Sequence, residues 1–433
     1  ALVVLGGMLW VGWVLLGAHG FQHQKNLSSS TFFDLLRLAF AVVAGVGGVV
    51  ALVIAYRKQK LTEGAELREA TKLHTDRFTA ATAQLFADSP GLKLAGVHAL
   101  AGLADDAPTA SLRQTCIDVL CAFLRMPYDP DPGESPDDSV PERAREHAAA
   151  VHAYRSLREV RHTVIRVIGA HLRDGAEVSW QGHDFDFTTT VFDGGDLQGA
   201  VFTADPDHGL HGRVSFQSTV FSDGEVSFRG TTFSGGTVDF RSATFSGGTV
   251  AFGFATFSGG TVDFRGATFS GATVSFWSAT FSGSTVDFGS ATFSGGTVDF
   301  SYATFSGGTV DFRGAFSGGT VAFRGATFSG GTVAFEFARF SGGTVAFSHA
   351  TFSGGTVAFS HATFSGGTVA FSYATFSGST VAFSYATLSG GTVAFRSATG
   401  GIPGGLLDTL GIPRPGITNI PPEWLPGSAR PQA

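Results

Sequence analysis

The hydrophobic pattern of this chain begins with two unbroken apolar runs. Residues 1–18 and 38–56 carry no charged side chain, and each run approaches the roughly 20 residues that an α-helix needs to cross the hydrocarbon core of a bilayer. The polar loop 19–32 contains Lys25 as its only Lys or Arg, whereas three basic residues follow the second run within four positions. Because basic residues favour the cytoplasmic side of a membrane, residues 1–56 are predicted to form two transmembrane helices with a short external loop.

The first apolar run has a secretory signal peptide as its alternative interpretation. It has no basic start and no clear cleavage site, and a second apolar run follows it. These features favour a membrane span. The chain also begins with Ala1 rather than Met, which indicates a fragment whose first helix began upstream.

The next part of the chain is hydrophobic on one side only. Across residues 57–126, apolar residues recur every three to four positions, as in the stripe from Leu94 to Leu103. This spacing predicts a cytoplasmic region of several helices. Residues 127–141 are rich in proline and acidic residues and are predicted to be a solvated linker. Residues 142–174 are predicted to form a long helix that caps the domain after it.

That long helix carries seven arginines between positions 143 and 173. Charges of both signs are interspersed in this part of the chain, which is typical of a solvated helix face. Contact with anionic lipid or RNA is the alternative. The sequence leaves both interpretations open.

The second half of the chain repeats every twelve residues. From Phe216 onward, phenylalanines alternate at spacings of five and seven, and the unit is Ala-Thr-Phe-Ser-Gly-Gly-Thr-Val-Asp/Ala-Phe followed by two variable residues. One unit is a residue short before Phe316, where the Thr is interpreted as missing. The alternation Val-x-Phe is typical of a short strand with two inward side chains, and the glycines permit corners with positive φ. Residues 175–399 are therefore predicted to form an all-β solenoid, because such strands must stack on those of the next turn.

The number of repeats in each coil of this solenoid has two candidate values. A rectangular coil of two units, with faces of five and seven residues, leaves room for the Phe side chains inside. A flatter coil of one unit would crowd two Phe and one Val into its interior. We therefore predict two units per coil. The tail 400–433 is proline-rich, and it is predicted either to fold over the open end or to be disordered.

The first repeats of the chain resemble those of a known protein family. The run from Phe192 to Phe202 places Phe, Leu and Phe five residues apart and is similar to pentapeptide-repeat proteins, whose consensus has Leu or Phe at the centre and a small residue two positions earlier. Residues 76–103 also resemble the juxtamembrane region of membrane-anchored bacterial members of that family, particularly actinobacterial ones. The resemblance implies a pentapeptide-repeat-like β-helix in a multi-pass protein of the bacterial inner membrane, with its C-terminal domains cytoplasmic.

The amino-acid composition and the motifs limit the classes of function that are expected for this chain. The chain of 433 residues has 43 Phe, 60 Gly, 15% charged residues and a formal net charge of −7, which argues against a disordered chain and a broadly basic nucleic-acid binder. Its two cysteines are five positions apart and are interpreted as buried, reduced side chains. The sequence contains no recognisable hydrolase, zinc or redox motif. No enzyme activity, cofactor or metal is therefore expected, and calcium is not expected because the repeated Asp lies within a strand.

The two variable positions of each unit are predicted to be the informative surface. Arginines occupy several of them, and aromatic and histidine residues occupy others. Such residue types are enriched in interface hot spots, although neighbouring side chains that simply stack on each other are the alternative. The candidate interaction face comprises Phe254, Trp277, Tyr302, Phe337, His349, His361, Tyr373 and Tyr385.

The sequence thus predicts a non-catalytic, membrane-anchored scaffold that binds an unidentified protein partner. Some relatives implied by the resemblance mimic DNA with an acidic solenoid and inhibit a nucleic-acid enzyme such as gyrase. That alternative requires acid along the whole rod, whereas residues 184–399 hold 14 acidic and 8 basic residues, with almost no acid in the last five repeats. Binding to nucleic acid itself is not expected.

Overall fold

The structure is a computed structural model that describes residues 29–129, 131–134, 141–204, 212–378, 380–407 and 415–425. The chain divides into two compact units, Ala1–Lys72 and Leu73–Ala433. The first predicted transmembrane run lies outside the described residues, and the second lies within the first unit.

A single long helix contains the second apolar run. Helix α1 extends over Ser29–Leu85 and is not interrupted after Tyr56, where the apolar run ends. Among the described residues, α1 is the one helix long and apolar enough to cross a membrane, by length and composition alone. Its most apolar 18-residue window has a mean hydropathy of 2.0, and none of that window is buried.

Three more helices and the end of α1 form the helical part of the second unit. Helix α2 is Pro90–Asp105, α3 is Ala110–Arg125 and α4 is Pro141–Leu172. Their apolar stripes meet in one core, which continues into the repeats.

Both cysteines lie in α3 and are fully buried. Burial raises the pKa of the Cys116 thiol to about 11 and that of Cys121 to about 12. Neither is a reactive thiolate near neutral pH, and their interpretation as small buried side chains is confirmed.

The repeats form a parallel β-solenoid of about eight turns. Thr244 pairs with Thr268, and Thr249 pairs with Thr273. In the regular repeats, each strand residue thus lies beside the residue 24 positions later, so one coil contains two 12-residue units. The predicted two-unit coil is confirmed, and the one-unit coil is wrong.

Each coil has four short strands, one on each of four faces, A to D in chain order. Face A contains Phe185–Asp186, Val214–Ser215, Thr237–Asp239, Thr261–Asp263, Thr285–Asp287, Thr356–Ala358 and Thr380–Ala382. Face B contains Val191–Phe192, Val220–Phe221, Thr244–Phe245, Thr268–Phe269, Thr292–Phe293, Ala315–Phe316, Arg339–Phe340, Thr363–Phe364 and Thr387–Leu388.

Face C contains Gly195–Asp196, Glu225–Ser227, Thr249–Ala251, Thr273–Ser275, Thr297–Asp299, Thr320–Ala322, Thr344–Ala346, Thr368–Ala370, Thr392–Ala394 and Ile417–Thr418. Face D contains Val201–Thr203, Thr232–Ser234, Thr256–Ser258, Thr280–Ser282, Thr351–Phe352, Thr375–Phe376 and Thr399–Gly400. Two longer strands, Thr304–Asp311 and Thr327–Ala334, continue from face D into face A.

Columns of phenylalanine fill the solenoid. Equivalent rings of successive coils are parallel, with centroids 4.6 Å apart for both Phe240–Phe264 and Phe245–Phe269. The column that follows face A meets the column that follows face C edge to face, as in Phe240 and Phe252 at 5.9 Å. Aromatic pairs at these separations contribute roughly 0.5–1.5 kcal/mol beyond the burial of their area.

The four corners are built in two ways. At the A–B and C–D corners, the Ala N–H donates to the Phe carbonyl three residues earlier, and the second variable residue has φ near +60°. At the B–C and D–A corners, the Ser-Gly-Gly segment passes close to the coil before it. A Cβ on Gly247 would lie 2.2 Å from the Ser222 carbonyl oxygen. Glycine is required there because neighbouring backbones approach closely, not only because of φ.

The short unit loses a turn residue, not the Thr position. Ala315 takes the strand position of Thr, pairing with Thr292 on one side and Arg339 on the other. The Gly314 N–H donates to the Phe312 carbonyl at 2.7 Å, which closes a turn one residue tighter than the others. The interpretation of a missing Thr is therefore wrong, because the ladder keeps its register and the corner absorbs the deletion.

The last coil is covered by the tail. Ile417 pairs with Val393 as a further rung of face C. The Trp424 ring lies edge-on to Phe376 and Phe395, with centroids 5.7 and 5.5 Å away, and its indole N–H donates to the Gly400 carbonyl at 2.8 Å. The tail thus folds over the open end in its described residues, as one of the two interpretations predicted.

The corner geometry leads to a prediction for two glycines, neither of which has positive φ. A Cβ on Gly295 would lie 2.2 Å from the Ser270 carbonyl oxygen, whereas on Gly253 it would lie 3.6 Å from the Trp277 oxygen. We expect Gly295→Ala to lower the free energy of unfolding by roughly 1–3 kcal/mol, as overpacking does, and Gly253→Ala to change it by less than about 0.5 kcal/mol. Chemical denaturation of the two variants tests this, and equal losses would contradict the account of the corner.

Candidate interaction surface and its anchored end

The predicted interaction face is divided between two opposite corners. Because successive units alternate around the coil, their variable residues alternate between the A–B and C–D corners. The A–B row contains Phe337, His361 and Tyr385. The C–D row contains Phe254, Trp277, Tyr302, His349 and Tyr373. The sequence had placed all eight on one surface, and the two-unit coil separates them.

The A–B row is a continuous stack. The rings of Phe337 and His361 are parallel with centroids 5.0 Å apart, and those of His361 and Tyr385 lie 5.1 Å apart. Tyr385 ends this row and is 76% exposed. Neighbours therefore cover most ring faces, and the row presents ring edges and one nearly free ring to solvent.

The C–D row has two parts. Arg229 lies 5.0 Å from the Phe254 ring centroid, Phe254 meets Trp277 edge to face at 4.8 Å, and Tyr302 follows at 6.3 Å. After the gap at Gly325, His349 and Tyr373 stack in parallel with centroids 5.0 Å apart.

Stacking of neighbours, the alternative interpretation of these residues, is thus present in both rows. It does not remove them from solvent, because their large aromatic side chains remain between 40% exposed at Trp277 and 76% at Tyr385. Seven of the eight have φ near +60°, a conformation that is strained for bulky side chains. The same turn position holds Ser242, Ser278, Ser290 and Ser397 elsewhere, so bulky rings are not needed to form the corner.

The aspartates of face A have a structural role. Asp239, Asp263 and Asp311 each accept the N–H of the residue two positions later with Oδ1 at 2.9 Å. Arginine side chains lie along this column: Arg241 pairs with Asp239 at 2.5 Å, and Arg265 pairs with Asp263 at 2.6 Å. The column is therefore a ladder of paired charges, without a group of three metal-ligating side chains anywhere among the described residues.

The strongest polar cluster lies at the other end of the solenoid, and sequence reasoning missed it. The carboxylate of Asp193, in the turn after face B, is buried. It accepts hydrogen bonds from the hydroxyls of Tyr128 at 2.7 Å and Tyr154 at 2.8 Å. Arg158 Nε and His162 Nε2 each lie 3.0 Å from its oxygens.

This cluster corrects two expectations. Tyr128 belongs to the predicted solvated linker, but its ring lies under the Arg161 guanidinium, 4.3 Å from centroid to carbon. Arg161 itself is 3% exposed and donates to the carbonyls of Leu124 and Val191. Some arginines of the long helix therefore bind the cap to the solenoid and do not form a solvated face. The spacing of Tyr154, Arg158, Arg161 and His162 on one helix face was the available signal.

The environment of Asp193 keeps it ionised. Burial alone would raise the pKa of its carboxyl, but the hydrogen bonds from His162, Tyr128 and Tyr154 outweigh the lost solvation and hold that pKa well below its usual range. Burial and the bond to Asp193 raise the pKa of Tyr128 far above its usual value. The phenol thus stays protonated and continues to donate.

A second group of contacts joins the helices to the same end of the solenoid. The Trp180 indole N–H donates to Asp105 Oδ1 at 2.9 Å, and His171 Nε2 lies 3.2 Å from Asp105 Oδ2. The His171 and Trp180 rings stack with centroids 4.1 Å apart. These contacts join α2, α4 and the first coil, and Trp180 is fully buried.

Comparison with protein-family models, with curated proteins and with solved structures finds no match for this chain. The regular parallel solenoid with about eight turns is compatible with a pentapeptide repeat. This coil is longer than four strict five-residue repeats would make it, because 24 residues separate equivalent strands, as in Thr256 and Thr280.

The buried carboxylate leads to a prediction for Asp193→Asn. Removing one partner of a buried ion pair lowers the free energy of unfolding by roughly 3–5 kcal/mol, and we expect this loss at pH 7. Since the folded-state pKa of Asp193 is depressed, its contribution is complete above the unfolded pKa of about 3.9 and declines as the pH falls below that value.

The measurement is the difference in unfolding free energy between wild type and Asp193→Asn from pH 7 to pH 3. Asp186→Asn is the matched control, because its carboxylate is half exposed and bound to one arginine. A difference for Asp193→Asn that stays constant down to pH 3 and equals the control would contradict the assignment.

Proposed function

We propose that this protein is a non-catalytic scaffold, anchored in the bacterial inner membrane by its N-terminal helices, that binds a protein partner along a corner of its solenoid. The observation that carries the proposal is the pair of aromatic corner rows. They interrupt a surface composed otherwise mainly of Ser, Thr, Gly and Ala, and their rings remain exposed despite stacking on one another.

Membrane anchoring is supported by helix α1. Its apolar part is long enough to span a bilayer, its most apolar window is unburied, and basic residues follow it at positions 57, 58 and 60. We propose two spans and cytoplasmic C-terminal domains, with membership of the pentapeptide-repeat family supported by the parallel four-faced coil. Two transmembrane helices remain part of the proposal, since the first apolar run lies outside the described residues.

Docking on the corners is supported by the energetics of the rows. A left-handed conformation costs any non-glycine residue roughly 1–2 kcal/mol, and Ser has the same φ at this turn position, so that cost does not distinguish rings from Ser. Stacking stabilises the rings on one another but leaves their edges exposed to solvent. A partner that covers these edges would gain apolar contact area and hydrogen bonds to the Tyr373 and Tyr385 hydroxyls.

DNA mimicry receives less support. The acidic column on face A is neutralised by arginine along its length, with Arg241 also 3.8 Å from Asp263 and Arg265 also 3.6 Å from Asp287. The Asp position becomes Ala in every unit after Asp311. A DNA mimic needs unpaired negative charge at regular intervals, and the Asp column of face A is paired with arginine instead.

The experiment changes the two corner rows separately. One variant replaces Phe337, His361 and Tyr385 with Ser, and the other replaces Phe254, Trp277, Tyr302, His349 and Tyr373 with Ser. Each protein is cross-linked in the cells that make it, purified from alkali-washed membranes, and its cross-linked partners are quantified by mass spectrometry. We expect one variant to lose a specific partner at least tenfold, while the other retains it.

Each variant is the control for the other, because both make Ser substitutions at the variable corner positions of the same rod. Unchanged melting temperatures would show that the loss is not unfolding. Equal recovery of all partners with both variants would contradict corner docking. Absence of the protein from alkali-washed membranes would contradict the anchor.

A further inference from the structure

A cavity in the helical region is separate from the corner rows. It has a volume of about 420 Å³ and lies among the end of α1, the start of α2, the end of α3 and one face of α4. Its apolar lining includes Phe86, Phe123, Met126, Pro127, Ala153 and Leu157. The volume lies within the range of roughly 300–1,000 Å³ that is typical of small-molecule sites.

The cavity has a cation in its buried wall. Arg161 lines it, and the Arg161 side chain is buried. Two of its five N–H groups are accounted for by the Leu124 and Val191 carbonyls. Among the described residues, no carboxylate lies within ion-pair distance of Arg161. The guanidinium lies over the Tyr128 ring. A buried charge is ordinarily paired with an opposite charge, and this one has no direct ion-pair partner among the described residues.

The nearby Asp193 charge favours the ionised form of Arg161, but Asp193 forms its direct ion pairs with other residues. Its Oδ2 forms the 3.0 Å ion pair with Arg158 and also accepts from both tyrosines, while His162 lies against Oδ1. The cluster thus contains two guanidinium groups and one carboxylate.

A second cation lines the cavity. Lys93, near the start of α2, has no ion pair among the described residues. One carboxylate, Asp88, also belongs to the lining, but its residue is exposed and it pairs with neither cation in the described structure. The buried wall is therefore apolar and positively charged, and the acidic group stays at the rim.

We propose that this cavity binds an anionic amphiphile, specifically a monocarboxylate with an unbranched alkyl chain. The chain would occupy the space between Phe86, Phe123 and Leu157, and the carboxylate would be held by Arg161 and Lys93. Burial of the methylene groups in the apolar lining supplies affinity, and the Arg161 guanidinium, which has no carboxylate within ion-pair distance, supplies the preference for a carboxylate.

The test uses the full chain in phosphatidylcholine nanodiscs and carbon-14-labelled octanoate in equilibrium dialysis, with empty nanodiscs as background. We expect saturable binding of one octanoate per chain. Octanol, octylammonium and acetate serve as competitors that lack the negative charge, invert it, or lack the chain. Each should compete at least tenfold more weakly than unlabelled octanoate.

Two substitutions on α4 provide a matched pair. Ala153 lines the cavity, whereas Ala148 is exposed on the same helix and does not. Ala153→Trp should lower the affinity for octanoate at least tenfold, and Ala148→Trp should leave it unchanged. Lys93→Met should weaken the binding of octanoate but not that of octanol. This substitution removes no hydrogen bond between the helical cap and the solenoid.

Several results would overturn the proposal. These are binding no greater than that of empty nanodiscs, equal affinity for octanol and octanoate, or equal effects of the two Trp substitutions. Tighter binding of octyl phosphate than of octanoate would overturn the carboxylate assignment and indicate a phosphate-headed lipid.

Discussion

The register of 24 residues between neighbouring strands is the constraint on which the solenoid depends. Strand Thr244–Phe245 hydrogen-bonds to the strand one coil later, and this alone places each Phe ring above its equivalent. Each 12-residue unit gains little stability from any single strand of two or three residues. Its stability comes from columns in which each ring touches the coils on both sides, with centroids 4.6–5.0 Å apart in the regular repeats. Short strands of this kind are stable only as members of a stack.

The same register determines the surface. Because one coil holds two units, positions 12 apart appear on opposite corners and only positions 24 apart are neighbours. Phe337, His361 and Tyr385 therefore form one row, although His349 and Tyr373 alternate with them in sequence. The deletion before Phe316 leaves this arrangement intact, since Gly314 shortens a corner and the ladder continues. Both ends of the stack are closed, by the helical cap and by Trp424.

The fold of the repeat region could be predicted from the sequence, because the same local pattern recurs in every unit. Val-x-Phe alternation and paired glycines predicted strands and corners, and the room that the Phe side chains need predicted a two-unit coil, all of which the structure contains. Non-repeated contacts were not accessible in this way. The Asp193 cluster joins residues 39 and 65 positions apart, and nothing local distinguishes Tyr128 from a linker residue. The splitting of the aromatic positions follows from the two-unit coil, which the sequence predicted, but the candidate interaction face was not divided between the two corners.

The most direct test of this account is disulfide formation between engineered cysteines in a chain with Cys116→Ala and Cys121→Ala. Thr320 and Thr344 are paired on face C and both exposed, so their Cα atoms lie one strand spacing apart, about 4.8 Å, which suits a disulfide. Thr332 is 12 positions from Thr344 and lies on the opposite face A. Under mild oxidation, Thr320→Cys/Thr344→Cys should form an intramolecular disulfide detectable by mass spectrometry, and Thr332→Cys/Thr344→Cys should not. A disulfide in the second pair but not the first would mean one unit per coil and would contradict the account.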